Sequence, residues 1–186
     1  EFYRKNPTRR EIFAYMCEVG EKYNLPPEIL YAVAYAESGF RQFNKNGSPF
    51  VSFDNGIGIM QLTPGSSPIK FNEEKAKYDY KYNIRIGAKV LLEKWKDQNT
   101  VGELYGKKGN LLPTLSSKDP LILENWYFIL WAYNGYAGEN NPNKLPMYIS
   151  KLNGVKMKAY QDRVIDLAER DLRIKITKFP KELLPD

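Results

Sequence analysis

The chain has 186 residues, of which 42% are hydrophobic and 27% charged, with a formal net charge of +6 and a pI near 9.2. That length suits one folded domain with a sizeable core, and the composition is not that of a disordered chain. Histidine is absent and Cys17 is the single cysteine, which excludes Ser-His-Asp and Cys-His nucleophilic schemes, Cys/His zinc sites and an internal disulfide.

Acid–base chemistry therefore falls to Asp, Glu, Tyr or Lys. No stretch is long and apolar enough to span a bilayer. Residues 1–20 carry charges throughout and no continuous apolar run, so they hold no secretory signal. The positive balance suits an anionic partner: nucleic acid, anionic lipid or an acidic cell wall. Lys and Arg are scattered singly or in pairs, however, which argues against nucleic acid.

Thr8-Arg9-Arg10-Glu11 fits a capping box, and Ile12, Phe13, Tyr15, Met16 and Val19 follow at helical spacing, with Gly20 and Asn24 near the helix end. Cys17 lies in that pattern and reads as a small buried residue. A second helix opens near Pro27, where proline is tolerated in a first turn, and runs through Glu37 to a stop at Gly39. Residues 41–58 are rich in Asn, Gly, Ser and Pro, with Val51 and Phe53 alternating, and predict a loop with short strand-like pieces. Residues 79–98 give a third helix with Ile84, Ala88, Leu91, Leu92 and Trp95 in one stripe.

Residues 101–120 predict a long polar connection. A fourth helix over about 121–134 contains Leu123, Trp126, Tyr127, Leu130 and Trp131, and residues 135–154 read as another loop. The last helix holds Tyr160, Val164, Leu167 and Ala168, and an amphipathic tail begins near Leu172. Such long connections often act as lids or binding edges, so 101–120 and 136–154 are expected to shape a binding groove. The order of elements predicts a mainly α domain with a minor β element after the second helix. The expected organisation is a single domain over 1–186, with a core over about 8–170 and a tail over 171–186.

Glu37 is the informative residue. Ile29, Val33 and Glu37 are spaced by four, so the carboxylate ends an apolar stripe in the last turn of its helix. Partial burial penalises the anion, and the helix C-terminus carries partial negative charge. Both favour the protonated acid that general-acid catalysis needs. The spacing alone fits a helix-end Glu pointing to solvent better than a catalytic acid.

Shortly after it comes Gly56-Ile57-Gly58-Ile59-Met60-Gln61-Leu62-Thr63-Pro64, where two glycines allow tight turns and close backbone approach to a ligand. Together with Glu37-Ser38-Gly39-Phe40, this segment resembles the soluble lytic transglycosylase and goose-type lysozyme superfamily. Leu25-Pro26-Pro27-Glu28-Ile29-Leu30, Asn83-Ile84-Arg85-Ile86-Gly87-Ala88, Ala132-Tyr133-Asn134-Gly135 and Tyr160-Gln161-Asp162-Arg163-Val164 resemble further motifs of that superfamily in the same order.

The resemblance, over about residues 8–170, implies a lysozyme-like α+β fold and cleavage of the β-1,4 bond between N-acetylmuramic acid and N-acetylglucosamine in peptidoglycan. It implies Glu37 as the catalytic acid, which in a lytic transglycosylase also accepts the proton of the muramic 6-hydroxyl as the 1,6-anhydro ring closes. Tyr133 would hydrogen-bond near Glu37 and Asn134 would help hold the glycan, while Ser38, Met60 and Gln61 would line the cleft. Tyr133 and Met60 also fit core packing. No metal or organic cofactor is implied.

Hydrolysis by a goose-type muramidase is the alternative, and an inverting hydrolase needs a second carboxylate, for which Asp54 is the candidate. Asp-Asn-Gly is also strong turn chemistry, and that reading of Asp54 is preferred. A non-catalytic glycan-binding domain is a further alternative. Tyr105, Tyr136 and Tyr148 are candidate cleft aromatics. The implied setting is extracellular or cell-wall associated, with anionic wall polymers as possible partners and any signal or anchor outside this chain.

Overall fold

The computed structural model describes residues 4–96, 119–135, 140, 147–149 and 156–176. The chain divides into two compact units, Glu1–Glu93 and Lys94–Asp186.

In the first unit, helix α1 (Arg9–Tyr23) is opened by the capping box read from the sequence. The Thr8 N–H donates to Glu11 Oε2 at 2.7 Å, and the Glu11 N–H donates to Thr8 Oγ1 at 3.2 Å. Two orphan donors of the first turn are thereby satisfied. Asn24 ends the helix in the left-handed conformation, with its N–H on the Gly20 carbonyl. Helix α2 (Pro27–Ser38) begins at the predicted proline and stops at Gly39, whose φ is +60°. The two helices pack together through Ile12, Met16 and Val19 of α1 and Ile29, Leu30, Val33 and Ala34 of α2, all buried.

Cys17 departs from expectation. It is exposed, because Ile12, Met16 and Val19 define the inward stripe of α1 and Cys17 lies one residue round the helix from Met16.

Between α2 and α4 the chain is largely irregular. Isolated antiparallel bridges pair Phe43 with Pro49, Val51 with Ile57 and Ile57 with Leu62, matching the predicted strand-like pieces. A short helix α3 (Glu73–Tyr78), capped by the Asn72 side chain, was not legible in the sequence because its only buried residue is Ala76. Helix α4 (Tyr80–Lys96) buries Ile84, Ala88 and Leu91 as predicted, and Arg85 donates to the Tyr15 hydroxyl at 2.8 Å, tying it to α1.

In the second unit the predicted fourth helix is two pieces. A 3-10 turn (Leu123–Trp126) leads into α5 (Tyr127–Tyr133). Trp126 is fully buried, lies with its ring 4.6 Å from that of Trp95 at a tilt of 38°, and donates its indole N–H to the Pro120 carbonyl at 2.7 Å. Strands β1 (Met147–Ile149) and β2 (Lys156–Lys158) form an antiparallel hairpin with Tyr148 opposite Met157. The sequence predicts loop over 147–149, because three-residue strands are too short to carry an alternation signal. Helix α6 (Tyr160–Leu172) packs on α5 through Tyr160, Val164, Ile165 and Ala168.

The described residues are mainly helical with a minor β component. Tyr105, Tyr136, the Tyr148 side chain and most of 101–120 and 136–154 lie outside the described residues. No described helix is long and apolar enough to cross a membrane.

Candidate active site

The last turn of α2 carries Glu37, which is half-buried, and Ser38, which is buried. The helix ends abruptly. Gly39 donates to the Tyr35 carbonyl at 2.9 Å, and Phe40 donates to the Ala34 carbonyl at 3.5 Å. Phe40 itself has φ of +65°, a conformation that costs a bulky residue roughly 1 kcal/mol or more. Burial of its ring against Tyr31 and Tyr35, with centroids at 4.7 and 5.2 Å, offsets that cost. Arg41 then folds back, its Nε donating to the Ser38 carbonyl at 3.2 Å and its guanidinium lying 3.9 Å over Phe50.

The glycine segment forms a tight turn. Ile57 and Leu62 exchange backbone hydrogen bonds of 3.0 and 3.1 Å, and Gln61 N–H donates to the Gly58 carbonyl at 3.2 Å. Gly58 has φ of +65°, and a Cβ there would come within 2.5 Å of Gln42 Oε1 and 2.6 Å of Asn83 Nδ2. Only glycine fits, for both backbone and steric reasons. Gln61 also sits at positive φ, +51°, so two non-glycine residues in strained backbone belong to these adjoining segments. Such strain clusters at functional sites because the surrounding structure must over-determine it.

Here the over-determination is visible. Ser38 Oγ donates to the Ile59 carbonyl at 2.8 Å, joining the end of α2 to the turn. Asn83 on α4 is fully buried; it accepts from Met60 N–H at 2.8 Å and donates to the carbonyls of Ile57 at 2.9 Å and Ala76 at 3.1 Å. Gln42, also fully buried, accepts from Ile59 N–H at 3.2 Å and donates to the carbonyls of Ala76 and Lys77, each at 2.8 Å. Ile59, Met60 and Leu62 of the turn thus have their backbone held by side chains or by the backbone of Ile57. In the sequence Gln42 carries no mark of this role, and Asn83 stands out only as part of a motif. A lone Asn beside the apolar stripe of α4 is the one signal that was available; Gln42 offered none.

The candidates fall into two groups. Glu37 and Gln61 are half-buried and belong to the two segments that Ser38 joins. Gln61 Nε2 donates to the Gly58 carbonyl at 2.9 Å, while its Oε1 has no hydrogen-bond partner among the described residues. Ser38 and Met60, expected to line a cleft, are instead buried. The Ser38 hydroxyl is engaged by the Ala34 and Ile59 carbonyls, and Met60 is packed against Gly87, where a Cβ would meet its Cγ at 2.6 Å. Asp54 is exposed at the tip of a hairpin. Its carboxylate accepts from Ser52 Oγ, Asn55 next to it has φ of +66°, and Asn55 N–H closes the turn on the Ser52 carbonyl at 3.0 Å.

In the second unit Tyr133 is the last residue of α5 and is half-buried, and Asn134 is the exposed residue that caps it. Asn134 Oδ1 accepts from Asn140 Nδ2 at 2.7 Å. Nearby, burial and then the Asp162 carboxylate push the Tyr127 hydroxyl far above its ordinary value, so it stays protonated. Among the described residues no group of three or more His, Cys, Asp or Glu side chains comes together as a metal site.

The end of α2 thus sets a half-buried carboxyl group, Glu37, next to the Ser38 hydroxyl that is bonded to the glycine turn. The transglycosylase SLT domain family matches residues 14–148, and the chain belongs to that family. At the level of the family this is lytic-transglycosylase-type cleavage with peptidoglycan as the substrate. No curated protein and no solved structure matches the chain.

Proposed function

We propose that the protein is a lytic transglycosylase in which Glu37 serves as both acid and base. Glu37 protonates the glycosidic oxygen as the bond from muramic C1 to that oxygen breaks. The muramic 6-hydroxyl oxygen then bonds to C1 and gives its proton to the Glu37 carboxylate. The products are a 1,6-anhydro-muramic end and a free 4-hydroxyl, and no water is consumed. One carboxyl group completes the cycle and returns to its starting state.

The observation that carries this reading is the half-buried Glu37 in a strained helix end, clamped to the glycine turn within a chain of the transglycosylase SLT family. Gln61 Oε1 is free to accept from a sugar hydroxyl, and Tyr133 and Asn134 are assigned to glycan contact on the strength of their motif. Ser38 acts through the turn backbone that it holds and Met60 by packing on Gly87, rather than by touching the glycan. The exposed turn position of Asp54 favours the transglycosylase over a two-carboxylate hydrolase. We take the two units as parts of one catalytic domain, since the family match runs across both.

The substrate is a wall polymer, so we place the protein outside the cytoplasm or at the wall of a bacterium. Its net charge of +6 favours adsorption to anionic wall polymers, which added salt should weaken. Mass spectrometry of digested peptidoglycan tests the reaction. Anhydro-muropeptides support the proposal, and hydrated reducing ends would make the protein a muramidase.

A further inference from the structure

We propose that Asn140 is a positioning residue that fixes which end of the Asn134 amide faces outward, making Asn134 a hydrogen-bond donor to an N-acetyl carbonyl oxygen of the glycan. The proposal rests on the reading that Asn134 contacts glycan.

The orientation follows from a chain of donors and acceptors. Tyr160 is the first residue of α6, and its backbone N–H can only donate. It points at the Asn140 side chain at 2.9 Å, so the atom it meets must be Oδ1. Asn140 therefore turns Nδ2 toward Asn134, 2.7 Å away. An amide NH2 also only donates, so the Asn134 atom facing it is Oδ1. Asn134 is left with Nδ2 directed away, carrying donors that have no partner among the described residues. One backbone N–H thus sets the polarity of two successive amides.

The relay is held from inside. Asn140 is buried, and its backbone carbonyl accepts from Nε2 of the fully buried Gln161 at 2.7 Å. Two successive residues of α6 therefore grip Asn140, one at its side chain and one at its backbone. Asn134, by contrast, is exposed. A buried support behind an exposed amide with fixed polarity is what recognition of an acceptor requires, because no rotamer or flip need be frozen on binding. The obligate carbonyl acceptors that recur on every sugar of this glycan are those of its N-acetyl groups, the lactyl carboxylates standing on the muramic residues alone; its hydroxyls both donate and accept.

The test uses the full chain carrying Glu37→Gln, so that a tetrasaccharide of alternating N-acetylglucosamine and N-acetylmuramic acid binds without being cut. Asn140→Asp keeps an acceptor for Tyr160 N–H, so α6 stays capped, but its carboxylate offers no donor. Asn134 must then turn its NH2 inward and present its oxygen. We expect an unchanged melting midpoint, a fall in affinity of roughly tenfold by calorimetry, the same fall for Asn134→Ala, and no further loss in the double variant. If Asn134→Ala weakens binding and Asn140→Asp does not, Asn140 is only a cap and the proposal fails while the contact reading stands. If Asn134→Ala binds normally, both fail. Should Asn140→Asp not fold, asparagine-labelled NMR of the Glu37→Gln protein decides. A slowly exchanging Asn140 NH2 and an Asn134 NH2 that shifts on adding the tetrasaccharide support the relay; a freely exchanging Asn140 or an unmoved Asn134 overturns it.

Discussion

The hydroxyl of Ser38 donates to the carbonyl of Ile59 at 2.8 Å, and this single bond joins the residue next to Glu37 to the centre of the glycine turn. Its removal separates two possible roles for Ser38. As a positioning residue, Ser38→Ala should lower kcat about tenfold and leave KM within about twofold, with a stability loss of about 1 kcal/mol for the buried carbonyl left unpaired. Steady-state kinetics and thermal melts provide the check. A raised KM with unchanged kcat would instead put the hydroxyl against the glycan.

Asn83 is the more costly side chain to lose. Asn83→Leu strands the Met60 N–H in the interior and removes one of the donors to the carbonyls of Ile57 and Ala76, which keep Leu62 N–H and Gln42 Nε2. A loss of about 2–3 kcal/mol is expected in urea denaturation, since an unpaired buried group costs about 1–3 kcal/mol and two further bonds are lost. A loss below about 1 kcal/mol would show that water or a shifted backbone replaces the amide.

Two glycines in the left-handed region should differ. Gly39 has φ of +60° but open space where a Cβ would go, so Gly39→Ala should cost only about 1 kcal/mol. Gly58→Ala meets the same backbone cost and also drives a Cβ into Gln42 and Asn83. It should cost at least about twice as much and reduce activity with it. Equal melting midpoints for the two variants would contradict the packing described around Gly58.

Cys17 is exposed, yet partial burial of the thiol and then the Glu28 carboxylate push it above its ordinary value. A raised value means a smaller thiolate fraction at neutral pH. Alkylation by iodoacetamide should therefore be slower than that of a free thiol at pH 7 and still be accelerating above about pH 8.5, the ordinary thiol value. A rate that levels off below that pH would contradict the assignment.

The sequence was most legible where a local rule applied. The Thr8–Glu11 capping box, Pro27 at the start of α2 and Gly39 at its end all have short-range causes, and the structure shows each. Cys17 was misread because periodicity locates a stripe to within about one residue, and Met16 rather than Cys17 turns inward. For the site, motif order pointed to Glu37 and to the glycine turn. It could not distinguish residues that touch a ligand from those that hold the backbone, so Ser38 and Met60 were placed in a cleft when both are buried. Gln42 and Asn140 act through contacts 17 and 20 residues away in sequence, at Ile59 and Tyr160, and no local pattern marks such pairs.

The most direct test of the central claim is the activity of Glu37→Gln on purified peptidoglycan. Glutamine keeps the shape of the side chain but can neither give nor take the proton. The account predicts a folded protein with a melting midpoint close to that of the unmodified chain and release of anhydro-muropeptides reduced by at least about 10³-fold. Anhydro products formed at a rate within about tenfold of the unmodified chain would contradict it and move the acid elsewhere.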